Sequence, residues 1–270
     1  MLDLSVLGSA METIGLQKLR GRARMDRIQS RGRIIAGISF DIPGVGYRNP
    51  RTGLIEGFEA DLARAIAEEL LGAPDRVDFF QVTDEQRIPA LQNDLVDMVL
   101  SQITITPDRA GQVDFSIPYL VTREAILVPK GSSINSFDDL KGKRIAVTAG
   151  SISLRRMRAC LPSLPGATLI VTPLSSGNLE AVAKGEADAA SNDLINLTLM
   201  RRACDHPDRY DIIDIGDRFD QKPFGVAVRK GNQSLLDRLN EAINILTANG
   251  DIDRLLNKNI AGVTGSAERP

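Results

Sequence analysis

Ser101-Gln102-Ile103-Thr104-Ile105-Thr106-Pro107-Asp108-Arg109, followed by Val113-Asp114-Phe115-Ser116-Ile117-Pro118-Tyr119, decides how this chain is read. The first run is the end of a buried strand, then a polar loop, then an arginine five residues beyond Thr104. A guanidinium presents two parallel N–H donors that match the two oxygens of a carboxylate. Thr104 and the free backbone groups of the strand end can hold an ammonium beside it. Together they make a seat for the backbone of an amino acid. The alternative is an exposed arginine after a turn, the usual place for arginine.

Working outward, short apolar runs alternate with amphipathic ones. Ile34 to Phe40, Val77 to Val82 and Met98 to Ser101 are expected strands, and 58–71 and 86–93 expected helices, the first with Leu62, Ala65, Ile66 and Leu70 on one face. This βαβαβ order implies a parallel sheet with helices on both faces. Tyr119 to Glu124 crosses into a second unit, where the order repeats through strands near 144–147, 168–171 and 187–190 and helices near 153–160, 176–184 and 193–203. Phe219 to Phe224 returns, and 225–228 with helices at 234–248 and 251–257 rejoin the first unit. The expected division is a leader at 1–30, lobe 1 at 31–120 and 223–262, lobe 2 at 125–218, and a hinge at 119–124 and 219–224. Two lobes joined by two crossing segments close around ligands. A length of 270 residues agrees with two lobes.

Composition excludes several classes. Hydrophobic residues make up 43% and charged residues 25%, as in an ordinary globular protein. A net charge of −2 gives no nucleic-acid signal. No run approaches the ~20 apolar residues of a membrane span. The lone His206 cannot complete a zinc site with Cys160 and Cys204, and its setting Asp205-His206-Pro207-Asp208 reads as a surface turn in preference to a triad. No phosphate-loop motif occurs. The two cysteines fall near the C-terminal ends of helices in one lobe; geometry alone decides whether they bond. The N-terminus lacks a secretory signal, having only a short apolar run from Leu2 to Leu7 and no basic start. Residues 11–33 are rich in arginine and read as a solvated, partly helical leader, with a membrane-surface segment as the lesser alternative.

In the second lobe, Thr148-Ala149-Gly150-Ser151-Ile152-Ser153 joins a strand to a helix N-terminus, where free N–H groups and the helix dipole favour an anion. Ser151 or Ser153 is available as the cap. Asp193, at the end of Asp188-Ala189-Ala190-Ser191-Asn192-Asp193, is placed either to cap the next helix or to face a ligand ammonium.

The opening motif is similar to the carboxylate-binding segment of the bacterial family 3 solute-binding proteins, the polar amino-acid receptors of ABC importers. Other segments resemble that family in its order: Gly57-Phe58-Glu59-Ala60-Asp61-Leu62-Ala63, Ile88-Pro89-Ala90-Leu91-Gln92 with Val96-Asp97-Met98, and Leu140-Lys141-Gly142-Lys143-Arg144-Ile145-Ala146-Val147. The resemblance covers about residues 31–261. It implies a type II periplasmic-binding-protein-like α/β fold, two doubly wound lobes joined by a two-strand hinge (a Venus flytrap). It also implies Arg109 at the ligand α-carboxylate with the Thr104 N–H, and the Thr104 hydroxyl and Gln102 carbonyl at the ammonium. From the other lobe, the Ile152 N–H closes onto the carboxylate and Asp193 completes the ammonium seat. An amino acid as ligand, an ABC permease as membrane partner, a periplasmic or membrane-anchored extracellular location with the signal removed, and a monomer without cofactor or nucleic-acid partner belong to the same implication.

Side-chain selectivity is carried by the loops 40–48 and 83–87. Family receptors for cationic amino acids place aromatics there, and these are missing from the second loop. The run Phe40-Asp41-Ile42-Pro43-Gly44-Val45-Gly46 instead resembles the glutamate-type receptors, which points to glutamate, aspartate, glutamine or asparagine, with Asp41 in the site loop. Arg48, Arg87 and Arg123 are the candidate cations for a side-chain carboxylate. Two other readings stay open: a sensing module for a signalling partner, and a cyclohexadienyl-dehydratase-like enzyme, for which Glu59 and Glu124 are the nearby carboxylates.

Overall fold

The structure, a computed structural model, describes residues 24–260. Residues 1–23 of the expected leader and the expected tail from Gly262 lie outside the described residues. Helix α1 (24–31) leads to strand β1 (Ile34–Ile38). A small sheet of β2 (Asp41–Ile42), β3 (Gly46–Arg48) and β4 (Ile55–Glu56) precedes helix α2 (Phe58–Leu71). Then come β5 (Val77–Gln81), α3 (Arg87–Gln92), β6 (Met98–Val99), α4 (Pro107–Ala110) and the long β7 (Val113–Thr122). The second lobe contains β8 (Glu124–Pro129), β9 (Arg144–Thr148), α5 (Ile152–Cys160), β10 (Thr168–Thr172), α6 (Ser175–Ala183), β11 (Ala189–Asp193), α7 (Leu194–Ala203) and β12 (Tyr210–Asp214). The chain returns through β13 (Lys222–Arg229) to α8 (Gln233–Ala248) and α9 (Asp251–Ile260).

Each lobe is built on one five-stranded sheet, ordered β5-β1-β6-β13-β7 in the first and β10-β9-β11-β8-β12 in the second. The expected parallel sheet holds for β5, β1 and β6, and for β10, β9 and β11. The other two strands of each sheet join through antiparallel pairings, β13 with β6 and β7, and β8 with β11 and β12, so that β13 and β8 run against the rest. The reason is the crossing: β7 leaves lobe 1, and β13 re-enters beside it in the opposite direction, with Lys222 opposite Thr122. Strand β12 was not foreseen, because its Tyr-Asp-Ile-Ile-Asp run is an edge strand and only half buried.

Helix α2 shows why the apolar pattern locates these elements. Phe58, Leu62, Ile66 and Leu70 recur every four residues and are buried, each such side chain contributing ~1.5–3 kcal/mol. The helix ends at Gly72, whose φ of 82° is the left-handed stop that favours glycine.

Helix α1 corrects the picture of a solvated leader from residue 24 onward. Met25 and Ile28 are buried in the lobe 1 core, while Arg24 pairs with Asp94 and Arg31 with Asp97. Met25 and Ile28 are therefore committed to the core and are not available to a membrane surface. Cys160, the last residue of α5, and Cys204, just after α7, are both free thiols. Among the described residues no helix is long and apolar enough to cross a membrane.

Candidate functional site

Arg109 owes its position to a single helical turn. Thr106 caps α4 by accepting from the Arg109 N–H at 3.4 Å, and Pro107 supplies the preset first position. The turn sends the side chain back toward the strand end. There Nη1 donates to the Thr104 carbonyl at 3.0 Å, and Nη2 donates to the Gly150 carbonyl of the other lobe at 3.1 Å. Among the described residues Arg109 has no carboxylate partner. Burial first, and then the neighbouring Arg87, push its pKa down to about 9. A largely desolvated cation without a counter-charge is costly, and an anion entering the cleft removes that cost.

The facing wall comes from lobe 2. Ser151 is the cap of α5, its hydroxyl accepting from the Leu154 N–H at 3.0 Å. Ile152 is the first residue of that helix, and first-turn N–H groups have no partner within a helix. Gly150 has a φ of 73°, and a Cβ there would sit 2.7 Å from the Glu85 nitrogen. Only glycine lets the two lobes meet so closely. Asp193 ends β11 and caps α7, accepting from the Asn196 N–H at 2.8 Å. It is 3% exposed, and burial lifts its pKa to about 6 against the opposing pull of Lys222. Among the described residues Asp193 forms no ion pair.

Gln102, Thr104, Arg109, Ser151, Ile152, Asp193 and Arg87 line one cleft of about 300 Å³, counting the space open at its mouth. Arg87 is 2% exposed and committed to the protein: it donates to the Ser101 carbonyl at 2.6 Å and pairs with Asp84 at 3.3 Å. Three residues of the sequence reading fall elsewhere. Arg48 is outside the lining and lies over the Phe40 ring at 4.9 Å, because β3 turns it outward. Arg123 pairs with Asp214 at 2.6 Å. Asp41 is also outside the lining, but bridges the lobes by accepting from the Ser176 N–H of α6 at 3.1 Å.

The sequence reading missed Asp84, Lys222, Phe224, Ser175, Asn192 and Asn196, which complete the lining. Asp84 was findable, since an acid three residues before Arg87 is positioned to pair with it. Lys222 and Phe224 stand in the return crossing, where nothing local marks a site residue. Lys222 is 1% exposed and bound to Glu124 at 2.8 Å and to the Ser153 hydroxyl at 2.9 Å. Glu124 also pairs with Arg156 at 3.3 Å and accepts from Ser191 at 2.9 Å. With Arg87 held by Asp84 and Lys222 by Glu124, the charges left unmatched in the cleft are Arg109 and Asp193. Two further buried atoms in the lining, Gln102 Nε2 and Asn196 Oδ1, lack a partner among the described residues. They offer one donor and one acceptor. Among the described residues no group of acids, histidines and cysteines could hold a metal ion.

The family model of bacterial extracellular solute-binding proteins, family 3, matches residues 34–262. The chain is similar to the ABC transporter glutamine-binding protein GlnH of Bacillus subtilis, 33% identical over 232 residues, which are 86% of this chain and 82% of that protein. Among solved structures it is similar to the solute receptor for L-cysteine of Neisseria gonorrhoeae, with TM-score 0.81, 27% identity, and coverage of 89% of this chain and 95% of that one. It is also similar to an ancestral amino-acid-binding protein described as a precursor of cyclohexadienyl dehydratase, with TM-score 0.76, 32% identity, and coverage of 88% and 99%.

Proposed function

The chain belongs to the bacterial extracellular solute-binding proteins, family 3, and we propose that it is the substrate-binding protein of an ABC importer for a polar L-amino acid, glutamine first. The observation that carries this reading is the pair of unmatched charges, Arg109 on lobe 1 and Asp193 on lobe 2. A zwitterion supplies both partners at once. The α-carboxylate goes to the Arg109 fork, the Thr104 N–H and the Ile152 N–H; the ammonium goes to Asp193, the Thr104 hydroxyl and the Gln102 carbonyl. Each lobe by itself leaves one ligand charge unpaired, so binding favours the closed form. Closure turns about the crossing segments 119–124 and 219–224.

A neutral side chain is favoured over glutamate for a matching reason. Arg87 and Lys222 are each held by a protein carboxylate, and Arg48 and Arg123 are outside the lining. With Arg109 taken by the α-carboxylate, a ligand carboxylate on the side chain therefore finds no second free cation, whereas a carboxamide can use the donor and acceptor left open on Gln102 and Asn196. Similarity to the glutamine-binding protein of Bacillus subtilis supports the same choice.

Binding without turnover is favoured because both acids in the lining have other duties, Asp84 with Arg87 and Asp193 as a helix cap. The protein works as a monomer outside the cytoplasm, presenting its closed form to a membrane permease, and uses no cofactor. The test is a crystal structure of protein purified without refolding, with mass spectrometry of the extracted ligand. Carried-over glutamine with its carboxylate on Arg109 is the expected result. A ligand that avoids Arg109, or conversion of arogenate or prephenate by the purified protein, overturns the reading.

A further inference from the structure

Against the Gln102 peptide lies a carboxyl group that the proposed binding chemistry does not use. Glu59, in the first turn of α2, is 1% exposed. Its Oε1 accepts from the Gln102 N–H at 2.7 Å and from the Tyr119 hydroxyl. Its Oε2 is buried and without a partner among the described residues. The residue it holds is unusual: Gln102 has a φ of 46°, one of two non-glycine residues with positive φ among those described. A non-glycine residue in that conformation costs energy and persists where its surroundings hold it. On the other side of Gln102, its side-chain Oε1 accepts from Asn196 Nδ2 at 3.0 Å, and Asn196 is the residue capped by Asp193. A chain of hydrogen bonds thus runs from α2 through Gln102 to the helix that carries the lobe 2 acid.

We propose that Glu59 is a positioning residue for amino-acid binding: its buried carboxyl, anchored by Tyr119, holds the Gln102 peptide in the left-handed conformation and so sets the ammonium seat and its link to lobe 2. This inference rests on the binding function proposed above. The groups that face Glu59 are Tyr119 from β7, Arg87 from α3 and Asp193 from the end of β11. Burial raises the Glu59 pKa to about 7, with Asp193 adding to the rise and Arg87 opposing it. An ammonium held by Asp193 reverses the effect of that aspartate and favours ionised Glu59. Ligand binding then releases a proton, and affinity increases as pH rises.

The test compares wild type with Glu59→Ala and Glu59→Gln by calorimetry with glutamine, with ligand-free melting curves alongside. For wild type, Kd is expected to fall about threefold from pH 6.5 to 8. Glu59→Ala, which leaves the Gln102 N–H without its charged acceptor, is expected to raise Kd about 10- to 100-fold. Glu59→Gln keeps an acceptor oxygen but cannot ionise; it is expected to restore affinity to within about threefold of wild type at pH 7.5 and to lose the pH dependence. If Glu59→Ala does not fold, the Glu59→Gln pH profile alone decides. Wild-type affinity in Glu59→Ala, or an unchanged pH profile in Glu59→Gln, overturns the inference. Absence of binding by wild type to any amino acid overturns instead the function on which it rests.

Discussion

Substituting Asp193→Asn separates its two roles. The carboxylate caps α7 through the Asn196 N–H at 2.8 Å and, in the proposed function, neutralises the ligand ammonium. Asparagine caps a helix about as well as aspartate, whereas losing the cap altogether costs about 1 kcal/mol. Losing one partner of a buried charge pair costs ~2–5 kcal/mol, which corresponds to roughly 30- to 5,000-fold in Kd. The variant is therefore expected to fold normally and to lose most of its affinity. Its stability in the absence of ligand adds a second signature. The folded pKa of about 6 lies above the unfolded value of ~3.9, so the folded state holds the extra proton between these values. The stability present below about pH 4 is lost as pH rises through 6. Asparagine has no such penalty, so the ligand-free melting temperature is expected to exceed that of wild type at pH 7.5 and to match it at pH 4. Calorimetry with glutamine and melting curves at both pH values measure the two effects. Wild-type affinity in Asp193→Asn refutes the ammonium role; parallel losses of affinity and stability, as in Asp193→Ala, reduce Asp193 to a cap.

Arg109→Lys keeps the charge but not the fork. Losing a charge-assisted hydrogen bond, ~1.5–3 kcal/mol, is expected to raise Kd about 10- to 100-fold by calorimetry. Gly150→Ala places a Cβ 2.7 Å from the Glu85 nitrogen and 2.8 Å from the Asp84 carbonyl carbon, so the lobes cannot meet. Small-angle scattering with saturating glutamine is expected to show an extended particle where wild type is compact. Asp41→Asn retains an acceptor for the Ser176 N–H but removes a charge from the N-terminus of α6. At ~0.3–1 kcal/mol for such a charge, dissociation measured by stopped flow is expected to quicken about two- to fivefold, with selectivity among amino acids unchanged.

The lobes were legible because their strands and helices carry strong apolar periodicity; the expected helix 58–71 is α2 residue for residue. The three short strands β2, β3 and β4, two or three residues each, are too brief to show a period. The direction of β13 depends on its neighbour β7, a long-range pairing that no local window contains. The same division applies to the site. Arg109, Thr104, Ser151 and Asp193, which share one cleft, stand at strand ends and helix starts, where local sequence signals are strong. Lys222 and Glu124 are 98 positions apart and meet only because the crossing strands run side by side. Arg48, Arg87 and Arg123 were all candidates to bind a side-chain carboxylate. Their actual partners, an aromatic ring, Asp84 and Asp214, emerge only from the folded chain. Asp41 is read as a ligand residue because it lies in the site loop; its contact with the Ser176 N–H of the other lobe emerges only from the folded chain.

Calorimetric titration of the ligand-free protein at pH 7.5 with glutamine and with glutamate tests the central claim most directly. The unmatched charges Arg109 and Asp193, together with a lining that has no free cation besides Arg109, predict one glutamine per chain at micromolar Kd or tighter, and glutamate at least about tenfold weaker. No heat with either ligand, or tighter binding of glutamate, contradicts it.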